Sequence, residues 1–258
     1  MTLHSTVSAP PSRLAAVAAA LVALTFAGHA TAAKIAKETF VSSGRERVYY
    51  LAAPKEQDPA KPVPLVILLH GSNRDGSSLV EKWRKLAEKE GFITVGPDAG
   101  NPAFWKAPED GPALLRDLVD HLRTRFTIDP RRVYLFGHSA GAGFALQMGL
   151  FESRYFAAVA IHAGAFRGGE EKWLPALAAR KIPFHIAVGD RDAYYPLDTV
   201  RATRDALQAQ GLSVDLVEMP RHDHWYYDLA PKINQAAWAF LRAHALDEEP
   251  VYEERNLR

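Results

Sequence analysis

At 258 residues, with 48% apolar and 24% charged side chains, the chain is long enough to bury a full core and ordinary enough in composition to be globular. Thirty-one Lys and Arg against 30 Asp and Glu leave a formal net charge of +1. That balance supplies no field for steering nucleic acid or an anionic membrane, so neither is expected as a partner. No cysteine is present, which excludes a disulfide framework and a lipid-modified cysteine anchor.

The N-terminus reads separately from the rest. Arg13 precedes an Ala/Leu/Val stretch from Leu14 to Ala27, followed by small residues at Ala30-Thr31-Ala32, the pattern of a secretory signal peptide. Cleavage is expected near Ala32 or Ala33, with export to the periplasm or the medium. The apolar core falls short of the roughly twenty residues needed to span hydrocarbon, so no stable membrane anchor is expected. The alternative is a plain N-terminal extension, since the segment lacks lysine and carries Pro10 and Pro11 ahead of the apolar run. The expected organisation is a leader over 1–33, one catalytic domain over 34–246, and a charged, frayed surface tail over 247–258.

Glu38 to Ser42 and Arg47 to Ala53 read as two short strands around Ser43-Gly44-Arg45, an opening hairpin, followed by a proline-rich connection from Pro54 to Pro64. Leu65-Val66-Ile67-Leu68-Leu69 is an unbroken apolar run between Pro64 and Gly71, as expected of a parallel strand buried on both faces. Helix and strand then alternate: helix Ser77 to Glu90, strand Phe92 to Val95, helix Pro112 to Phe126, strand Val133 to Phe136, helix Ala142 to Phe151. Strand Phe156 to Ile161, helix Glu170 to Lys181, strand Phe184 to Val188, helix Leu197 to Gln210, strand Ser213 to Glu218 and helix Ala230 to His244 complete the series. Eight strands with alternating helices predict an α/β architecture, a doubly wound and mostly parallel sheet with active groups at the carboxyl ends of its strands.

Gly137-His138-Ser139-Ala140-Gly141 lies between the fifth strand and its helix, the arrangement of a nucleophile elbow. Glycine two positions before and after the serine lets the backbone fold back without a Cβ clash, which lifts the hydroxyl into the open. The N–H of Ala140 then points into the same space at the positive end of a helix, where an oxyanion can be stabilised. The bland alternative is a tight turn whose serine caps the following helix.

A serine hydroxyl needs a base to take its proton and a third group to orient that base. The strand ending at Val188 leads into Gly189-Asp190-Arg191-Asp192, with two candidate acids. The strand ending at Glu218 leads into Met219-Pro220-Arg221-His222-Asp223-His224, with two candidate bases. Both fall in the order serine, acid, histidine that this kind of fold uses.

With these segments, Leu68-Leu69-His70-Gly71-Ser72, Gly96-Pro97-Asp98, Asp129-Pro130-Arg131-Arg132-Val133-Tyr134 and Gly189-Asp190-Arg191-Asp192-Ala193-Tyr194-Tyr195-Pro196, the chain resembles the α/β-hydrolases of the feruloyl-esterase and poly(3-hydroxybutyrate)-depolymerase-like group. The resemblance covers most of the mature chain. It implies an α/β-hydrolase fold: an eight-stranded, mostly parallel sheet with an N-terminal antiparallel hairpin and helices on both faces. It also implies Asp192 as the acid, because similar enzymes place it in a glycine, two residues, aspartate, three residues, proline pattern; Asp190 is then a turn residue. It implies His224 as the base, since related esterases often set their histidine before an aromatic pair and His224 precedes Trp225-Tyr226-Tyr227. The glycines that usually precede that histidine are absent here, so His222 stays an alternative, otherwise a loop histidine bonded to backbone or lining the pocket. Where the family often has cysteine after His-Gly this chain has Ser72, and no disulfide-supported loop is carried over.

A metal reading of His222-Asp223-His224 finds no companion cluster, and His70, His162 and His185 are expected as packed histidines. Ser72 is the expected second N–H donor of the oxyanion hole, after the strand ending at Leu69. Trp105, Tyr194 and Trp225, with Phe104, Tyr195 and Tyr226, fall on loops after strand ends and are candidates for an aromatic substrate pocket.

The expectation is an exported serine carboxylesterase for small or short-chain esters, with no cofactor and no metal. Ser139, Asp192 and His224 would be catalytic, and Ser72 and Ala140 would hold the oxyanion. The alternatives are another acyl-transfer hydrolase (peptidase, thioesterase or acyltransferase) on the same residues, or a non-catalytic binding protein on this fold. Small esters rather than solid polymer are expected, because nothing after Leu246 reads as an adsorption domain.

Overall fold

The apolar run before Gly71 becomes the middle of the sheet. A computed structural model describes residues 1–2, 34–54, 57–253 and 255, and the expected leader lies outside these described residues. Its strands are β1 (Ala36–Ser42), β2 (Arg45–Ala52), β3 (Val63–Leu69), β4 (Ile93–Pro97), β5 (Ile128–His138), β6 (Ala158–His162), β7 (Phe184–Gly189) and β8 (Val214–Met219). They form one sheet in the order β1-β2-β4-β3-β5-β6-β7-β8. β1 pairs antiparallel with β2, and β2 antiparallel with β4; all later pairs are parallel. Ser43 and Gly44 turn the first hairpin with φ of 50° and 74°, the two-residue left-handed turn that matches strand twist.

Alternation along the strands divides the core in two. Leu65, Ile67 and Leu69 of β3 join a cluster with α2 (Pro112–Arg123), α3 (Ala140–Phe151) and α4 (Leu197–Ala209). Val66 and Leu68 face the opposite way, toward α1 (Ser77–Glu90) and α5 (Tyr226–Leu241). Helices therefore cover both faces, and the central strands read as continuous apolar runs. Trp83 of α1 is fully buried against Phe136, ring centroids 4.8 Å apart, and Phe92 stacks on Trp238 of α5 at 3.8 Å. Burying a side chain of Phe92's size stabilises by roughly 1.5–3 kcal/mol.

Two expected features differ. The helix over Glu170 to Lys181 is instead a pair of 3-10 turns, Glu170–Lys172 and Leu174–Leu177. Pro175 removes one backbone donor, Trp173 lies outside helical backbone at φ −133°, and Arg180 is taken up by Ser153 O, Phe156 O and Ala157 O. The C-terminal stretch does not trail into solvent as a frayed tail through Glu253. Val251 N–H donates to Arg154 O (3.0 Å), Glu253 N–H to the buried Glu152 carboxylate (2.7 Å), and Tyr252 packs edge-on against Tyr155.

The sheet order positions the site. β3 and β5 are neighbours in register, with Leu69 opposite Gly137, so the loop after β3 emerges beside Ser139. β7 and β8 are likewise neighbours, with Gly189 opposite Met219. The acid-bearing and histidine-bearing loops therefore leave the same edge side by side, tied by Asp190 N–H to Met219 O (3.1 Å) and Arg191 N–H to His222 O (2.9 Å).

Candidate active site

Ser139 joins β5 to α3 with φ 56° and ψ −118°. A non-glycine residue held there costs on the order of 1–3 kcal/mol, which the surroundings must offset. They do so by contact: a Cβ at Gly137 would overlap Gly141 O, and a Cβ at Gly141 would overlap Leu69 O. Both positions are closed to every other residue, which is why glycine flanks the serine on each side. Ser139 N–H donates to His162 O at 3.1 Å, fastening the turn to β6. The hydroxyl does not cap α3; it lies 2.9 Å from His224 Nε2.

His224 bridges Ser139 and Asp192. Its Nδ1 is 2.9 Å from Asp192 Oδ2, so Nδ1–H donates to the carboxylate and Nε2 is free to accept from the serine. The Asp192 side chain is fully covered, and Oδ1 accepts from the N–H groups of Tyr194 and Tyr195, each at 2.9 Å. Burial alone would raise the Asp192 pKa, but the bond from His224 and those N–H donors outweigh it and hold the carboxyl below its ordinary value. Asp190, two residues earlier, is exposed.

His222 turns the other way. Its Nε2 lies 3.0 Å from His162 Nε2, and His162 Nδ1 lies 3.1 Å from His138 Nδ1. A neutral imidazole has one donor and one acceptor, and His162 uses both in this file of three rings. Burial pushes all three pKa values down: His138 to about 3, His162 well below the ordinary value, and His222 below it as well. The file packs beneath the serine, with His138 5.2 Å from the His224 ring and stacked on the buried Tyr226. The two rings of the His-x-His segment thus serve different neighbours.

Opposite the histidine, the loop after β3 presses on the serine: a Cβ on Gly71 would stand 3.2 Å from Ser139 Cβ. His70 fixes this loop. Ala99 N–H donates to His70 Nε2 at 3.1 Å, so the proton sits on Nδ1, which donates to Gly71 O at 2.9 Å. Gly71 C=O and Ser72 N–H belong to one trans peptide and point in opposite directions. Anchoring the carbonyl therefore aims the Ser72 N–H. Burial holds the His70 pKa below its ordinary value, so the clamp is a neutral ring. Ala140 begins α3, where the first N–H groups have no intrahelical acceptor.

Ser72, Ser139, Ala140 and His224 line one cleft of about 810 Å³. Phe104, Tyr194, Tyr195 and Trp225 line it too; Tyr194 is 71% exposed and sits 4.8 Å from the His224 ring. Tyr195 stacks on His224 at 5.8 Å, and its hydroxyl donates to Ser139 O at 3.3 Å. Trp105 does not join them. Its indole N–H donates to His70 O (2.9 Å) and its ring stacks on Phe144 (4.9 Å), so it braces the loop from below. Tyr226 is likewise interior, donating to Asn234 at 2.6 Å. Sequence reasoning missed the clamp role of His70; its signal was a histidine directly ahead of the glycine in the loop after β3.

The sequence profile of the alpha/beta hydrolase family matches residues 66–256. The chain belongs to this family. It is 33% identical over 209 residues to poly(3-hydroxyalkanoate) depolymerase C of Paucimonas lemoignei, covering 72% of this chain and 46% of that protein. It is 27% identical over 139 residues to poly(3-hydroxybutyrate) depolymerase of Ralstonia pickettii, covering 45% and 28%. The chain thus spans less than half the length of these curated relatives. Among solved structures, the feruloyl esterase module of Clostridium thermocellum superposes with a TM-score of 0.67 at 14% identity, covering 87% of this chain and 92% of the module, a likeness of fold.

Proposed function

We propose that this chain is an exported serine carboxylesterase acting on small or short-chain esters, with residues 34–246 as its catalytic domain. The observation that carries the reading is His224 within 2.9 Å of both Ser139 Oγ and Asp192 Oδ2. In this mechanism Ser139 Oγ attacks the ester carbonyl as His224 Nε2 takes its proton. The oxyanion is held by the N–H groups of Ser72 and Ala140, each such donor worth about 3 kcal/mol in the transition state. His224 then protonates the departing alkoxide, leaving an acyl-Ser139. Water, deprotonated by the same ring, attacks the acyl carbonyl, and the acid leaves as Ser139 regains its proton.

Asp192, held ionised, keeps His224 in the tautomer that accepts from the serine and stabilises the imidazolium that forms. Tyr194, Trp225 and Phe104 supply apolar contacts for the substrate. The depolymerase relatives support ester bonds over amides. Export is supported by the Leu14 to Ala27 stretch and the small residues after it. Ser139→Ala is expected to keep the fold and lose p-nitrophenyl butyrate hydrolysis; undiminished turnover in that variant would overturn the assignment.

A further inference from the structure

Three arginines line the cleft around Ser139, one from each of three loops. Arg74 follows β3, Arg167 follows β6 and Arg191 follows β7. All three are exposed, and among the described residues none of their guanidinium groups is paired with a carboxylate. Elsewhere in the molecule the arginines near carboxylates take them: Arg47 with Asp110, Arg201 with Glu218, Arg242 with Glu90.

At the cleft, aromatic faces hold two of the three instead. The Arg74 guanidinium stands 5.5 Å from the Trp225 ring centroid and 5.1 Å from that of Tyr227, and the Arg167 guanidinium 4.4 Å from that of Tyr195. A cation on a ring face keeps its charge and its N–H donors, and the contact fixes its position.

Carboxylates are fewer than arginines at this cleft. Glu170, on the Arg167 loop, accepts from Gln147 Nε2 and from the Arg167 backbone N–H. Asp223 is the acidic residue among the described residues lining the cleft, and its Oδ1 accepts from Trp225 N–H. Three arginines against Asp223 leave the lining residues with local positive charge in a chain whose net charge is +1. Tyr195 joins Arg167 to the serine, since its ring carries the guanidinium and its hydroxyl reaches Ser139 O. Trp225 joins Arg74 to the base, being the residue after His224.

We propose that the preferred substrates are esters bearing a second, free carboxylate, which Arg74, Arg167 and Arg191 bind through charge-assisted hydrogen bonds while Ser139 attacks the ester carbonyl. The inference rests on the serine esterase reading above and names the substrate class of that site. Planar guanidinium forks match a carboxylate's two oxygens, and neutral esters of the same length gain nothing from them.

The test compares kcat/KM for matched pairs at low ionic strength. Monoethyl adipate against ethyl hexanoate places the charge on the acyl side; para-acetoxybenzoate against para-tolyl acetate places it on the leaving group. The anionic member of at least one pair is expected to be favoured by about tenfold, the scale of one charge-assisted hydrogen bond. That ratio is expected to fall toward one in the Arg74→Gln/Arg167→Gln/Arg191→Gln variant. In the unaltered protein it should shrink likewise in about 0.5 M salt, where exposed charges are screened beyond a few ångströms. A merely structural role would lower both members of a pair and leave the ratio alone. Equal or reversed preference in both pairs, with hydrolysis still dependent on Ser139, overturns this inference alone. Absence of Ser139-dependent hydrolysis of all four compounds overturns the esterase reading itself.

Discussion

Beneath Ser139 three imidazoles are buried and bonded to one another, whereas around it three arginines stand exposed, two of them, Arg74 and Arg167, on aromatic faces. The floor takes side chains that can carry charge and keeps them neutral, because desolvation at His138, His162 and His222 disfavours the protonated form. The rim instead carries arginines, whose guanidinium groups are charged wherever they stand. His222 and His224 show the same division two residues apart: one ring belongs to the floor, the other stands between floor and rim, touching Ser139 and Asp192. In this family member, burial decides whether a polar group supports or reacts.

The division is broken most sharply by exchanging the two histidines' fates. His224→Ala is expected to lower kcat for a p-nitrophenyl ester by about 10³-fold or more, the usual effect of removing a triad member. His222→Ala is expected to lower the thermal midpoint while keeping most of the turnover; the reverse pattern would move the base to His222. Next in size is the clamp on the loop after β3, which carries Ser72. His70→Gln removes the ring that anchors Gly71 O, so kcat is expected to fall by about tenfold to a hundredfold with KM little changed, the signature of a donor used in the transition state. A rise in KM at constant kcat would show that His70 only shapes the binding cleft.

The floor also predicts a pH dependence of stability. Its histidines bind protons more weakly folded than unfolded, so the unfolded chain gains protons first as pH falls. Stability is then full above the unfolded value near 6.5 and declines below it, down to about 3 for His138. Each imidazole kept neutral contributes a slope of about 1.4 kcal/mol per pH unit over that window. Thermal midpoints measured from pH 8 to pH 5 should fall below about 6.5, and less steeply in His162→Asn. A flat profile would mean that the file accepts protons without penalty.

Much of this was legible in the residues because local patterns determined it. The apolar run Leu65 to Leu69, short and bounded by Pro64 and Gly71, fits a strand covered on both faces, and the Gly137 and Gly141 spacing has a steric cause visible in the contacts each would make with a Cβ. The eight strands and the hairpin follow from such patterns, and so does the side-by-side exit of the loops after β7 and β8. What the sequence concealed depends on distant partners. His138 and His162 are 24 residues apart and His162 and His222 are 60, so no spacing rule announces their file. Trp105, on the loop after β4, and Tyr226, at the start of α5 rather than on the expected loop, turn inward because His70 O and Asn234 offer their polar atoms partners there. The Glu170 to Lys181 stretch has helical composition, but Pro175 and the anchoring of Arg180 prevent a continuous helix. The charged C-terminal stretch carries no periodicity, and its docking depends on the buried Glu152 carboxylate.

The central claim is that Ser139 is activated by His224 for covalent acyl chemistry. Its most direct test is intact-mass and peptide-mapping mass spectrometry after a fluorophosphonate is added to the folded protein. One adduct on Ser139 is predicted, retained in His222→Ala and lost or slowed by about 10³-fold in His224→Ala. A folded protein that stays unlabelled, or carries its adduct elsewhere, would contradict it.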